Sequence, residues 1–244
     1  SVILEAIVTT VDRQGRVNIA PMGPQWNPSL QRATQSQTVR STDYPNPSAE
    51  STESIPRDAD QSKQNRDSQS PPKGEDSEGS FLLKPFKTSR TYTNLIHQPS
   101  ATIHITDDAL LFARAAVGKI AEDEKKSLVQ PIEGTHWWTL LDCHRWFAVE
   151  TTVTQEDSLR ASMACCVRHR AVVRPFYGFN RAKHAVIEAA ILATRTHLLS
   201  QEQVHLEISR LEPLVEKTGG PDEHLAFEIL KVTIDERYAT IDRK

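Results

Sequence analysis

Long apolar runs are missing from this sequence of 244 residues. None approaches the roughly 20 residues that a membrane-spanning helix needs. An excess of either charge is missing too: 29 lysines and arginines face 32 aspartates and glutamates, for a net charge of −3. With no sustained basic run, neither nucleic acid nor a membrane surface is expected as the main partner. Cysteine is scarce. Cys143, Cys165 and Cys166 make an odd set, and the vicinal pair does not readily bridge within a strand, so reduced thiols are expected rather than a disulfide framework. The opening residues SVILEAIVTTVD carry neither a basic n-region nor a small-residue cleavage pattern, which makes a cytoplasmic location the expectation. No repeat period is visible.

What is there suffices for one substantial domain or two small ones with a proper core. Val2 to Asp12 is rich in β-branched residues, Arg13-Gln14-Gly15 supplies a turn and Arg16 to Met22 continues extended, so the chain is expected to start with a hairpin. Over residues 27–79 the composition shifts to Ser, Pro, Gln, Asn and charge, with Leu30, Val39, Tyr44 and Ile55 almost the only sizeable apolar side chains. Such a segment buries too little surface to offset its chain entropy and reads as a disordered or loosely draped loop insertion.

Beyond it, Phe81 to Phe86 reads as a strand, about Thr88 to His97 as a helix that stops before Pro99, and Ala101 to Thr106 as a strand. Asp107-Asp108 opens a helix over Ala109 to Val117 that Gly118 closes. Trp146 to Thr154 and Ser162 to Val173 read as strands joined by a turn at Gln155-Glu156-Asp157-Ser158. The remainder is helical. Arg181 to Leu199 is Ala-rich, Ser200 and Gln203 form a capping box for a helix with Val204, Ile208, Leu211 and Val215 on one face, and Pro221-Asp222 starts another after Gly219-Gly220. The fold expected is mainly β with α: a small barrel over residues 1–175 and a helical unit over 176–244, with too few crossover helices for a doubly wound sheet.

Two stretches carry candidate chemistry. KPFKTSRTYTNL, Lys84 to Leu95, places Lys87 and Arg90 among Thr88, Ser89, Thr91 and Thr93 where a strand gives way to a helix. First-turn N–H groups, the positive end of the helix dipole, two cations and several hydroxyls suit a phosphate dianion; the same residues also describe an ordinary capped helix. RVNIAPMGP, Arg16 to Pro24, ends a strand in a Pro-broken run, which is either a plain strand end or a set of free N–H groups for the edge of a flat heterocycle, with Ile19 and Met22 over its face. The cysteines fit no usual zinc spacing and read as structural thiols, His136-Trp137-Trp138 as core or contact aromatics, and Arg168-His169-Arg170 as a solvated strand edge. No Ser-His-Asp or Cys-His arrangement must be invoked, and no catalytic side chain is assigned.

Three separated blocks, ILEAIVTTVDRQGRVNIAPMGP at 3–24, FLLKPFKTSRTYTNLIHQPSATIHITDDALLFARAAVG at 81–118 and RPFYGFNRAKHAVIEAAILATRTHLL at 174–199, occur in the order found in a prokaryotic family of uncharacterised proteins. The chain resembles that family, which is built on the flavin reductase-like FMN-binding split barrel. The resemblance implies a six-stranded split β-barrel that forms a homodimer, with one FMN near each edge of the interface. It gives the flavin phosphate to Lys87, Thr88, Ser89, Arg90 and Thr91, with Asn94 one turn on, and the isoalloxazine to Asn18, Ile19, Ala20, Pro21 and Met22. Arg174, Asn180, Arg181 and Lys183 are candidate substrate contacts in an anion pocket built in cis or by the partner subunit; a helix start with solvated cations is the plainer reading. The insertion at 27–79 is much longer than the short connection of the family.

The activity implied is that of an FMN-dependent oxidoreductase in which the flavin N5 accepts hydride from a reduced nicotinamide and passes it to an unidentified acceptor. The alternatives are a non-catalytic flavin carrier or sensor, and a cofactor-free dimer with a decayed pocket. A pterin-like or other flat heterocycle is one acceptor that stacking on the ring would suit.

Overall fold

The structure, a computed structural model, describes residues 1–27 and 80–241, so the expected insertion lies, from residue 28 on, outside the described residues. The chain starts with β1 (Val2–Ile3), β2 (Ala6–Val11), β3 (Val17–Met22) and β4 (Gln25–Asn27). Between β2 and β3 the Asp12 carboxylate takes the N–H groups of Gln14 and Arg16, each at 2.9 Å, and Arg16 Nε at 2.7 Å, while Gly15 occupies the left-handed region at φ 78°.

Then come β5 (Ser80–Leu83), α1 (Arg90–His97), β6 (Ser100–Ile105), α2 (Ala109–Val117), α3 (Glu122–Leu128), β7 (Val129–Pro131), β8 (Trp138–Leu140), β9 (Arg145–Glu156) and β10 (Ala161–Val172). Three helices end the described chain: α4 (Arg181–Thr194), α5 (Gln201–Thr218) and α6 (Pro221–Ile241). Helix starts follow the expected caps. Ser89 accepts the Tyr92 N–H, Asp108 the Leu111 N–H and Asn180 the Lys183 N–H, and Ser200 with Gln203 completes a capping box.

The main sheet runs β1-β4-β5-β10-β9-β6-β2-β3, antiparallel throughout, and β7 pairs with β8 separately. Its two ends belong to one hairpin. β1 and β2 are separated only by Leu4 and Glu5, and β3 and β4 only by Gly23 and Pro24, yet β1-β4 lies at one edge of the order and β2-β3 at the other. The sheet must therefore curl until the bent hairpin spans both edges, which is a barrel split alongside β3. Counting each bent strand once turns eight strands into the expected six. At the bend a Cβ on Gly23 would fall 2.8 Å from Cγ2 of the exposed Ile3, so a larger residue there would displace that side chain.

The barrel interior is filled by Ala6, Val8, Phe81, Leu83, Ile103, Phe147, Val149 and Met163. β2 is buried on both faces: Ala6 and Val8 point inward, whereas Ile7 joins Val17, Ile19 and the helices α2, α4, α5 and α6 in a second core. The small face of α4, with Ala182, Ala185, Ala189, Ala190 and Ala193 all buried, permits that close helix packing.

Several elements depart from expectation. The β9–β10 turn falls at residues 157–160, because the Asp157 carboxylate captures the N–H groups of Leu159 and Arg160 at 2.7 and 2.6 Å. α4 stops at Thr194 rather than Leu199, with Arg195 leaving helical geometry at φ −109° and ψ 10°. The expected first strand, Val2 to Asp12, is divided at Leu4-Glu5 into β1 and β2, while β4, the pair β7-β8 and the charged helix α3 have no counterpart in the expected order, being too brief to show a period.

Candidate functional site

β3 ends the sheet order, so among the described residues one side of its backbone has no neighbouring strand in the sheet. The Asp12 N–H donates to Arg16 O at 3.0 Å, and from that pair the antiparallel ladder alternates. Asn18 and Ala20 turn their backbone groups toward β2; Val17, Ile19 and Pro21 turn theirs to the open edge. Pro21 thus stands where a missing N–H removes no ladder bond.

α1 starts beside this edge. Asn18 Nδ2 donates to Thr91 Oγ1 at 3.2 Å, joining the two stretches singled out in the sequence, and Asn94 Nδ2 donates to Thr10 Oγ1 at 3.0 Å in a buried contact that seats α1 on β2. α2 and α3 form the opposite wall. The result is a cleft of about 560 Å³, with Asn18, Ile19 and Ala20 on the β3 side, Ser89, Arg90 and Thr91 at the helix start, and Ala115 to Gly118 with Ile120 opposite. Lys125 and Glu122 from α3 and Arg237 from α6 complete it. That size lies in the ordinary range for small-molecule sites, about 300–1,000 Å³.

The electrostatics favour an anion. Lys125, largely buried, binds Glu122 Oε1 at 2.6 Å, and that hydrogen bond holds the Glu122 carboxyl below its ordinary pKa. The Arg237 guanidinium reaches Ala193 O at the end of α4. Among the described residues the Arg90 guanidinium makes no hydrogen bond or ion pair of its own. Three cations and one carboxylate thus face the cleft, and one cation is uncommitted.

A second cleft of about 450 Å³ adjoins the first, sharing Asn18, Arg90, Glu122 and Lys125 and continuing between the β2–β3 turn and the outer face of α1. Thr88 lines this one.

The other expected site residues lie elsewhere. Lys87 turns to the β9–β10 hairpin, with Nζ 3.1 Å from Glu156 Oε2 and 3.3 Å from Asp157 O. Met22 packs on the barrel core, and neither it nor Pro21 lines the two clefts. Arg174, Asn180, Arg181 and Lys183 line neither cleft. Arg174 and Lys183 converge on Asp107, at 2.5 Å from Oδ1 and 2.5 Å from Oδ2, and Arg174 also binds Asp142 Oδ1 at 2.5 Å. Partial burial works to raise the Asp107 pKa, but the hydrogen bonds from Lys183 and Arg174 outweigh it and hold the carboxyl well below the usual range. Asn180 caps α4 and donates to Thr218 O at 2.9 Å; Arg181 is exposed.

Lys125, Glu122, Arg237 and the end of α2 are absent from the sequence-derived site. The one signal for α3 was its charge order, Glu122, Asp123 and Glu124 before Lys125 and Lys126, which complements a helix dipole. Nothing in the sequence tied Arg237, more than a hundred residues on, to the same cleft.

A curled antiparallel sheet, split beside its terminal strand and flanked there by a capped helix start, is the split barrel expected from the sequence. Two family models match, described as protein of unknown function (DUF447) N-terminal domain over residues 75–174 and protein of unknown function (DUF447) over residues 180–232, together more than half of the chain. The chain belongs to the DUF447 family. Among solved structures it is similar to the FMN-bound protein MM1853 from Methanosarcina mazei, of the same family, at 18% identity over 96% of this chain and 95% of that one, with a TM-score of 0.65. Looser likenesses are to the 2-nitrobenzoate 2-nitroreductase NbaA of Pseudomonas fluorescens (11% identity, 71% and 66% of the chains, TM-score 0.43) and a flavin reductase domain protein of Arthrobacter sp. FB24 (8%, 71% and 79%, 0.43). No curated protein matches. At these identities the likeness is one of fold.

Proposed function

We propose that this chain binds FMN in the cleft between β3, α1 and α2 and serves as an oxidoreductase that takes hydride from a reduced nicotinamide and delivers reducing equivalents to an acceptor not yet identified. The observation that carries the reading is the Asn18–Thr91 hydrogen bond at 3.2 Å, which brings the phosphate-suited helix start and the ring-suited strand edge to one cleft. The family relationship to an FMN-bound protein supports the choice of ligand.

The residues present fit such a ligand. The Arg90 and Lys125 side chains and the backbone N–H groups of Arg90 and Thr91, which the Ser89 cap leaves open, would hold the phosphate dianion, with Thr91 Oγ1 beside them. Ile19, Ala115 and Ala116 offer an apolar wall to a flat ring, and the open edge of β3 presents the Ile19 N–H to its polar rim. Bound FMN supplies a two-electron acceptor at N5. The chain's part is to orient the ring, exclude water from one face and place N–H dipoles where negative charge grows.

Homodimerisation belongs to the same proposal. Val172, Val173, Phe176, Tyr177 and Phe179 leave a run of exposed apolar surface between β10 and α4, next to the residues considered as substrate contacts, and a second copy is the occupant we assign to it. Light scattering of the flavin-loaded protein should give twice the chain mass; a stable monomer would remove that part.

The decisive test is the visible spectrum of the purified protein, with mass spectrometry of the released small molecule, followed by anaerobic addition of reduced nicotinamide. Bound FMN that bleaches supports the oxidoreductase. FMN that stays oxidised leaves a carrier or sensor, and failure to take up FMN removes the cofactor.

A further inference from the structure

The second cleft shares Arg90 and Lys125 with the proposed flavin cleft, and its lining beyond them is also that of a binding site. On one wall Arg90, Thr93 and His97 recur along a single face of α1; on the other stand Arg13 and Arg16 of the β2–β3 turn, and Lys125 closes the end. The carboxylates present are already engaged, Asp12 by Arg16 at 2.7 Å and Glu122 by Lys125 at 2.6 Å. Arg13 Nη2 lies 2.8 Å from His97 Nδ1, so this guanidinium meets an imidazole lone pair and, among the described residues, no carboxylate. Arg90, uncommitted, lines both clefts.

We infer that this cleft is an adenosine-diphosphate subsite, continuous with the phosphate end of the proposed flavin cleft. The argument is one of position and chemistry. The four residues shared by the clefts include Arg90 and Lys125, the two cations assigned to the flavin phosphate, so a group extending from that phosphate enters the second cleft directly. There it meets Arg13, whose planar fork matches phosphoryl oxygens two at a time, with Arg16, paired to Asp12, alongside. The His97 imidazole offers a flat face for a purine, and about 450 Å³ accommodates an adenylate. Two sources share this chemistry: FAD, in which the diphosphate continues the flavin, and a nicotinamide dinucleotide bound beside FMN. The inference builds on the flavin reading for its neighbour, and the test separates the two.

Calorimetric titration of the full chain with ADP, FMN and FAD, and with ADP on the FMN-loaded protein, is repeated for Arg13→Ala and for His97→Gln on the facing helix. We expect Arg13→Ala to weaken the adenylate ligands roughly tenfold, as loss of a charged hydrogen bond does, and to leave FMN affinity unchanged. FAD binding more tightly than FMN, with the excess lost in Arg13→Ala, assigns the source as FAD. ADP binding to the FMN-loaded protein, weakened by the same change, assigns a separate dinucleotide. ADP binding without FMN binding would sink the flavin cleft while keeping this subsite. Failure of ADP to bind together with no advantage of FAD over FMN, or adenylate affinities indifferent to both substitutions, overturns the inference.

Discussion

The imidazole of His104 on β6 is fully buried between two backbone groups: Leu140 donates its N–H to Nε2 at 3.0 Å, which leaves Nδ1 to donate to Ile7 O at 3.0 Å. Burial pushes the pKa down to about 4 against the Ile7 hydrogen bond, which works to raise it, and protonation would set a second donor against the Leu140 N–H. A histidine with a lowered folded pKa contributes stability that is complete above its unfolded value near 6.5 and is lost as pH falls toward the folded value. Chemical denaturation should therefore show roughly 3 kcal/mol of stability lost between those limits from this group, and His104→Leu should flatten that part of the profile. The cleft allows a sharper contrast. Arg90→Ala is expected to weaken FMN about tenfold or more with folding unchanged, because the guanidinium is exposed and has no hydrogen-bond partner among the described residues. Lys87→Ala, removing an ammonium already engaged by Glu156, should leave flavin affinity within about twofold. Equal losses in equilibrium dialysis would contradict this division.

Asp107, between β6 and α2, ties elements that are far apart in sequence: Arg174 follows β10, Lys183 lies in the first turn of α4, and Nε2 of His144 is 3.1 Å from its Oδ1. Asp107→Asn should cost about 2 kcal/mol at neutral pH, the scale of charged hydrogen bonds. Because the folded pKa is held well below the usual carboxylate range, that contribution is complete above the unfolded value near 4, begins to decline below it and is lost only as pH falls through the folded value, so the gap between variant and wild type should narrow, without closing, from pH 7 to pH 3. Urea denaturation at pH 7 and pH 3 checks both statements. Where a cap or a turn residue announces an element, the sequence was legible: Ser89, Asp108, Gly118, Asn180 and the Ser200–Gln203 box all mark observed boundaries. Asp107 shows the limit. Its neighbour Asp108 is the cap, whereas Asp107 works through partners that only the folded chain assembles, which is why Arg174 and Lys183 read as an open anion pocket. The cleft was half legible for the same reason. Its strand and helix walls carry local signals; Lys125 and Arg237 enter through tertiary packing.

At the scale of the molecule, Asn27 and Ser80 face each other across β4 and β5, so the sheet itself holds together the ends of the chain between them. Replacing residues 28–79 by a four-residue turn is expected to preserve the fold and to stabilise it by about 2 kcal/mol, on the closure entropy of a connection whose composition offers little to bury. A rise in melting temperature with an unchanged far-ultraviolet spectrum would bear this out; unfolding would show that the segment contributes structure of its own.

The bent hairpin has a consequence for how the barrel finds its alignment. β2 is set against β3 by the Asp12 turn, and the same two chains run on, past Leu4 and Gly23, to become β1 and β4 at the opposite seam. A slip of one residue at that turn would therefore travel through the hairpin and misplace the pairing with β5, turning the Phe81 and Leu83 layer out of step with Trp26. Five residues at one end of the molecule act as the gauge by which its far edge is lined up.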